Sequence, residues 1–347
     1  SSCCWYDHRV YSDDRRGWAD MDFGFVLTQS ITQAIGVTAI IYLLATMGLN
    51  IQFGYTGLLN FGQIAFVAVG SYGIGVFVIT IGWNLWLSII AALLLSIILS
   101  LVLGVPTLRL RADYLAIVTI ATGEIMRLAT KSIDFLGGSQ GISGKMGDDF
   151  YALNPFPQQD RFEFGPFSYT RNDLWVVIVG WVVIAVLLLL TWALMRSPWG
   201  RILKGIREDE DAVRSLGKST YLRKMQALVL GGLFGTVAGI FWAVAKQSVQ
   251  PDSFVPDFTF FCYTILILGG AARVLGPVVG ALIFWFLLVF VEQTLILLVQ
   301  GGTITFLDTT QIGPIRFILV GLGLMLLLIF RPQGVLGDRK EISLDAR

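Results

Sequence analysis

Runs of about twenty apolar residues recur along this chain, and no other feature constrains its fold as strongly. They fall near 24–47, 61–81, 84–105, 113–132, 174–195, 226–246, 275–299 and 312–330. Each is long enough to cross a bilayer as a helix, the element that satisfies its own backbone where no water is available. Of the 347 residues 55% are hydrophobic and 14% charged, whereas a soluble domain carries about 25% charged residues to keep its surface wet. The sequence therefore predicts an all-α polytopic membrane protein of about 8–10 transmembrane helices, with the lipid bilayer as its first partner. A net charge of +1 implies no bulk attraction to nucleic acid.

Two apolar segments, 48–60 and 258–271, are too short or too rich in glycine to be plain spans. The first lies in LNIQFGYTGLLNFGQIAF and the second in TILILGGAARVLGPVVGALIF, and each leads straight into a full span. Paired broken segments in the two halves of a chain predict inverted-repeat halves with a pathway between them. Irregular backbone at membrane depth is tolerated only against protein or a watery cavity. Tyr55, Thr56, Gly57, Asn60 and Gln63, with Gly269 and Gly270, are the candidate residues of that path, as neutral hydrogen-bonding groups and glycines. The competing reading is that the glycines only let helices pack closely.

Charge is spread unevenly. Residues 1–23 form a polar tail holding Cys3, Cys4 and the single histidine, His8; 132–173 is a long loop in which acids outnumber bases. Lys and Arg concentrate instead at 196–224 and in 331–347, whose last part, 338–347, is a C-terminal tail. The positive-inside rule puts these basic stretches in the cytoplasm and 132–173 outside as an ordered cap. Arg109 and Arg111 place the 106–112 turn inside, and the N-terminus is assigned to the cytoplasm with 48–60 as a short crossing. Within the spans, Glu124 and Arg127 are spaced to pair locally, Glu292 has no evident partner, and Arg273 anchors the turn after 258–271.

The basic loop contains SPWGRILKGIREDEDAVRSLGKSTYLRK, Ser197 to Lys224, with four consecutive acids in its middle. Arg201, Lys204, Arg207, Glu208, Asp209, Glu210, Asp211, Arg214 and Gly217 are its candidate coupling residues: a short helix of mixed charge, ended by Gly217, able to seat in a groove on a soluble partner. A merely solvated loop would need the bases for topology but not the run of acids.

No catalytic set can be assembled. The chain lacks G-x-x-x-x-G-K-[ST] and H-E-x-x-H, and one tail histidine permits no Ser/His/Asp arrangement. The expectation is a non-enzymatic chain with no cofactor and no metal of its own, energised by another subunit or by a gradient. A stand-alone secondary transporter or channel is the rival in a different class.

Five stretches carry a family resemblance: GYTGLLNFGQIAF (54–66), PTLRLRADYLAIVTIATGEIMR (106–127), GGSQGIS (137–143), SPWGRILKGIREDEDAVRSLG (197–217) and ILGGAARVLGPVVGAL (267–282). In this order they resemble LivM-type permeases, the membrane subunits of ATP-binding-cassette importers for branched-chain and other neutral amino acids. The resemblance spans about 24–337, a single transmembrane permease domain. It implies a second, LivH-like permease, two cytoplasmic ABC ATPases carrying ATP and Mg, a periplasmic solute-binding protein, and a bacterial inner-membrane location. It also implies that 201–217 docks on an ATPase: Asp211 to Gly217 has the spacing of the EAA-x-x-x-G loop of import permeases, with Asp replacing Glu. Where family members often carry histidine, this chain has Gln63, and urea or short-amide importers share the architecture, so these are an alternative substrate class.

Overall fold

The structure, a computed structural model, describes residues 18–108, 112–157, 161–164, 167–300, 311–331 and 333–337. The N-terminal side assignment, Cys3, Cys4, His8, Arg109, Arg111 and the 338–347 tail lie outside the described residues. Helices dominate: α1 (Trp18–Ile35), α2 (Val37–Leu49), α3 (Gln63–Ile74), α4 (Leu85–Thr107) and α5 (Ala112–Ser132) form the first half. After a short α6 (Asp148–Ala152) come α7 (Arg171–Arg196), α8 (Pro198–Glu208), α9 (Glu210–Ser215), α10 (Thr220–Lys246), α11 (Asp257–Gly269), α12 (Gly276–Gln300) and α13 (Ile312–Phe330). Seven helical segments among the described residues are long and apolar enough to cross a membrane. Two further helices join the bundle, α13, whose apolar run is shorter, and α5, which carries Asp113, Glu124, Arg127 and Lys131. The protein is an all-α, multi-pass membrane protein.

One expected span is drawn differently. The stretch 24–47 is two helices, because Gly36, with ψ of 178°, is extended rather than helical and ends α1. The crossing helix instead runs Val37–Tyr55, since α2 continues without a gap into a π-helical turn, Asn50–Tyr55. Residues 48–55 are therefore the end of a span, and 48–60 is not a separate crossing. Gly57, at a left-handed φ of 75°, turns the chain, and a non-helical stretch leads back into the bundle before α3 begins.

At the centre lies α10, packed against α2, α3 and α4. Glycines set this packing: a Cβ at Gly239 would overlap the carbonyl of Val67, and Ser71 Oγ donates to the Gly239 carbonyl at 2.9 Å. Close backbone approach between helices of small residues is the usual way to gain packing where lipid offers no hydrophobic drive.

Loops close one face of the bundle. The strand β1 (Ile142–Ser143) pairs antiparallel with β4 (Ser248–Val249), and β2 (Arg161–Phe164) with β3 (Phe167–Thr170). Arg127 reaches Glu124 at 2.5 Å and Asp252 at 2.8 Å, and Lys131 joins Asp252 at 3.1 Å. Glu292 of α12 has a partner that sequence spacing does not reveal, Arg316 of α13. A charge at membrane depth is retained when it is paired in this way.

Candidate functional site

The two glycine-broken segments meet. Asn50, in the π-helical turn, donates through Nδ2 to the Arg273 carbonyl at 2.8 Å and accepts from the Ala272 amide at 3.0 Å. One side-chain amide therefore satisfies the Ala272 amide of the turn between α11 and α12 and adds a second donor to the Arg273 carbonyl, which also accepts from the Gly276 amide at 3.2 Å. In return α11 supports the first break: Tyr263 donates its hydroxyl to the Asn60 carbonyl at 3.0 Å, and Thr259 Oγ1 accepts from the Ile64 amide in the first turn of α3. Phe53 and Phe61 pack their rings against Tyr263 at 5.3 and 4.7 Å.

A network of primary amides fixes the first break. Asn60 Nδ2 donates to Gln52 Oε1 at 2.7 Å and to Gln63 Oε1 at 3.2 Å, and Asn60 Oδ1 accepts from the Gly62 amide. Gln63 Nε2 spans to the Ala45 and Gly231 carbonyls, and Gln52 Nε2 to the Leu228 carbonyl of α10. Asn60, Gln63 and Gln52 are all fully buried. Inside this chain Asn60 and Gln63 therefore hold elements together. Tyr55 and Thr56 are buried as well, and Thr56 Oγ1 donates to the Ile51 carbonyl at 2.9 Å.

The second break has a different support. Gly269 is packed so tightly on Gly276 that a Cβ would overlap its carbonyl, and Gly270 takes a φ of 104°. The backbone of the segment after α13 covers this helix end: Val335 donates to the Leu268 carbonyl at 2.9 Å and Leu336 to the Gly269 carbonyl at 3.2 Å. Asn50, Gln52, Thr259 and Tyr263 were not among the candidates. Their only sequence signal is polarity inside apolar runs.

At the α8–α9 end of the bundle the basic loop folds as two helices, not one. Pro198 occupies the first turn of α8, a place where its missing N–H costs nothing. The apolar residues Leu203 and Ile206 are buried, whereas Arg201, Lys204 and Arg207 keep much of their surface exposed. The helix stops at Asp209, which is extended (φ −154°, ψ 105°), and Asp209 Oδ1 caps α9 by accepting from the Asp211 and Ala212 amides at 2.9 and 3.0 Å. Gly217, at φ 73°, ends α9 in the left-handed conformation that glycine adopts without steric cost.

Three of the four acids thus have separate tasks. Asp209 is a cap and Glu210 ties α9 to α10 through Lys224 and to Arg214 at 3.2 Å. Asp211 lies 3.4 Å from Arg214 in the first turn of α9, where a carboxylate is favoured by the helix dipole. Partial burial raises the Glu210 pKa, but the bonds and charges of Lys224, Thr220 and Arg214 outweigh it and hold the carboxyl below its ordinary value. Glu208, Asp211, Arg214 and the tip residue Leu216 are exposed; Leu216, 77% exposed, is the most exposed large apolar side chain of the loop.

The two parts of the site connect through Arg207, whose Nη1 donates to the Gly54 carbonyl at 2.7 Å. The Lys204 ammonium sits 5.8 Å from the centre of the Tyr55 ring. Between them is a polar cavity of about 200 Å³, bordered by Thr56, Gly57, Thr107, Arg207, Glu210 and Lys224. A continuous line therefore runs from the exposed helices through Arg207 to Gly54, four residues from Asn50, and across to the second break.

Residues 31–329 match the family described as branched-chain amino acid transport system / permease component. The chain is 30% identical over 312 residues to the high-affinity branched-chain amino acid transport system permease protein LivM of Salmonella typhimurium, covering 87% of this chain and 69% of the relative. A probable branched-chain amino acid transport permease LivM of Methanocaldococcus jannaschii is 25% identical, with 87% of this chain and 92% of the relative covered. A nucleoside ABC transporter permease, NupC of Lactococcus lactis, is 23% identical over 66% of this chain and 71% of its own length. No solved structure matches the chain significantly.

Proposed function

The chain belongs to the branched-chain amino acid transport permease family, and on that premise we propose that it is the membrane-spanning subunit of an ATP-binding-cassette importer. Its solutes are branched-chain or other neutral amino acids, delivered by a periplasmic binding protein; the LivM relatives favour this over urea or short amides. It works beside a second, LivH-like permease and above two cytoplasmic ATPases, which hold ATP and Mg and carry out the hydrolysis. Relatives of this kind are permease subunits, consistent with a chain that moves solute without chemistry of its own.

The excess of Lys and Arg at 196–224 and 331–347 supports a cytoplasmic side for α8, α9 and the C-terminal tail in a bacterial inner membrane. The carrying observation is the exposed helix pair, bound to the first break by the Arg207–Gly54 bond. Arg201, Glu208, Asp211, Arg214 and Leu216 face the ATPase, while Asp209, Glu210 and Gly217 shape the surface they stand on. ATPase closure pulls on α8 and α9, and Arg207 passes the movement to the paired breaks. The path runs beside them, bordered on the cytoplasmic side by Thr56 and Gly57.

Replacing Leu216 with Asp tests this reading, since its side chain supports little of the fold. The ATPases should no longer co-purify and uptake should fall to background. Normal co-purification and uptake would contradict it, as would ATP-independent uptake by this chain alone in proteoliposomes.

A further inference from the structure

The cavity between the first break and the α8–α9 pair has a lining whose groups divide by role. Its volume of about 200 Å³ is many times the ~10–15 Å³ that one water molecule needs, so it admits a small solute. Thr56 and Thr107 line it and are themselves buried. Each spends its hydroxyl hydrogen on a helix carbonyl, Thr56 on Ile51 at 2.9 Å and Thr107 on Leu103 at 2.5 Å. Both can therefore offer a ligand only oxygen lone pairs. The carboxylate of Glu210 adds negative charge on the same lining.

The donors come from Arg207 and Lys224. Lys224 is tied to Glu210, whereas Arg207 commits only Nη1, to the Gly54 carbonyl, among the described residues. A guanidinium has further N–H groups in the same plane and pairs well with a carboxylate. Between the two kinds of polar group stands an apolar wall of Leu58, Leu108, Leu115 and Ile206, all buried.

This lining discriminates by chemistry. A simple anion would meet Glu210 and two hydroxyls that can only accept. A simple cation would meet Arg207 and Lys224, and neither ion has a use for the leucines. A small solute with one positive end, one negative end and an apolar body suits every part, in the usual manner of a mostly apolar pocket with a few placed polar groups.

Resting on the importer reading above, we propose that this cavity binds the zwitterion of a small apolar amino acid at the cytoplasmic end of the path. The carboxylate lies on Arg207, the ammonium on Thr56 and Thr107 beside the charge of Glu210, and the side chain against Leu58 and Leu115. A solute held there touches α8 through Arg207, α4 through Thr107 and the first break through Thr56, so it joins the three until it leaves.

The test uses the assembled importer, permeases with ATPases, and measures tritiated leucine binding by scintillation proximity with the binding protein left out. The wild type should bind leucine. Isovalerate and isopentylamine, each lacking one charged end, should displace it at least about tenfold more weakly than leucine does, since each leaves a polar group of the site unpaired. Thr107→Val, close in shape but without the acceptor, should weaken leucine binding about tenfold, while Thr107→Ser should stay near wild type. No binding by the wild type overturns the proposal, as does equal displacement by either analogue or wild-type affinity in Thr107→Val. ATP-driven leucine uptake, measured in proteoliposomes of the same importer with the binding protein restored, separates the two levels. Uptake without binding at this cavity sinks the site alone; absence of uptake sinks the importer reading and the site with it.

Discussion

The two breaks face each other across Asn50 yet are held in unlike ways. The first, after the π-helical turn, is secured by directional bonds among Gln52, Asn60 and Gln63. The second, between α11 and α12, relies on backbone closeness at Gly269 and on the carbonyl caps from Val335 and Leu336. Directional bonds break one at a time when an element shifts, whereas backbone contact of this kind tolerates little sliding. On the proposed coupling mechanism, movement belongs to the first break, where Arg207 also attaches, and the second serves as a fixed abutment.

The largest disruption should come from Gly269→Val. Its Cβ would overlap the Gly276 carbonyl backbone, which has no flexible end to move aside. The protein is expected to fail to accumulate in membranes, measured by blotting; a wild-type level would show that the second break yields. Asn50→Leu should come next. It strands the part-buried Ala272 amide at about 1–3 kcal/mol, while the Arg273 carbonyl keeps its bond from the Gly276 amide, and thermal unfolding in detergent should shift below wild type. Gln63→Leu should cost about 1–3 kcal/mol by the same reasoning, with uptake reduced more than ATPase binding if the first break is the mobile one. Equal effects from both would flatten the proposed difference.

Glu210→Gln should have the smallest effect. Glu210 is one-third exposed and its pairs are worth less than about 1 kcal/mol in water. Because its folded pKa lies below the ordinary value, the Lys224 tie is complete above the unfolded pKa of about 4.3 and is lost as the pH falls through the folded value. Accessibility of a cysteine placed at Val213 should rise only on that acid limb in the wild type, and should be insensitive to pH in Glu210→Gln.

Most of the architecture was legible in the sequence because burial in lipid demands long apolar runs, and α3 to α5, α7 and α10 to α13 follow them closely. The division at Gly36 escaped because a single glycine inside an apolar run leaves hydropathy unchanged. The glycines marked both breaks as special, but neither the contact between the two nor the amides that join them was legible. Asn50 and Arg273 are 223 positions apart, and no local spacing reports such a bond. Glu292 likewise waited for Arg316 from another helix. Within the basic loop, the run of acids falls where α8 gives way to α9, and that division at Asp209 needed backbone angles to appear.

The most direct test of the central claim, that Arg207 carries movement from the ATPase surface to the first break, is uptake by Arg207→Ala in the reconstituted importer with ATPase co-purification and hydrolysis measured in parallel. The prediction is retained co-purification and continuing ATP hydrolysis with solute uptake lost. Uptake at the wild-type rate per ATP hydrolysed would contradict it.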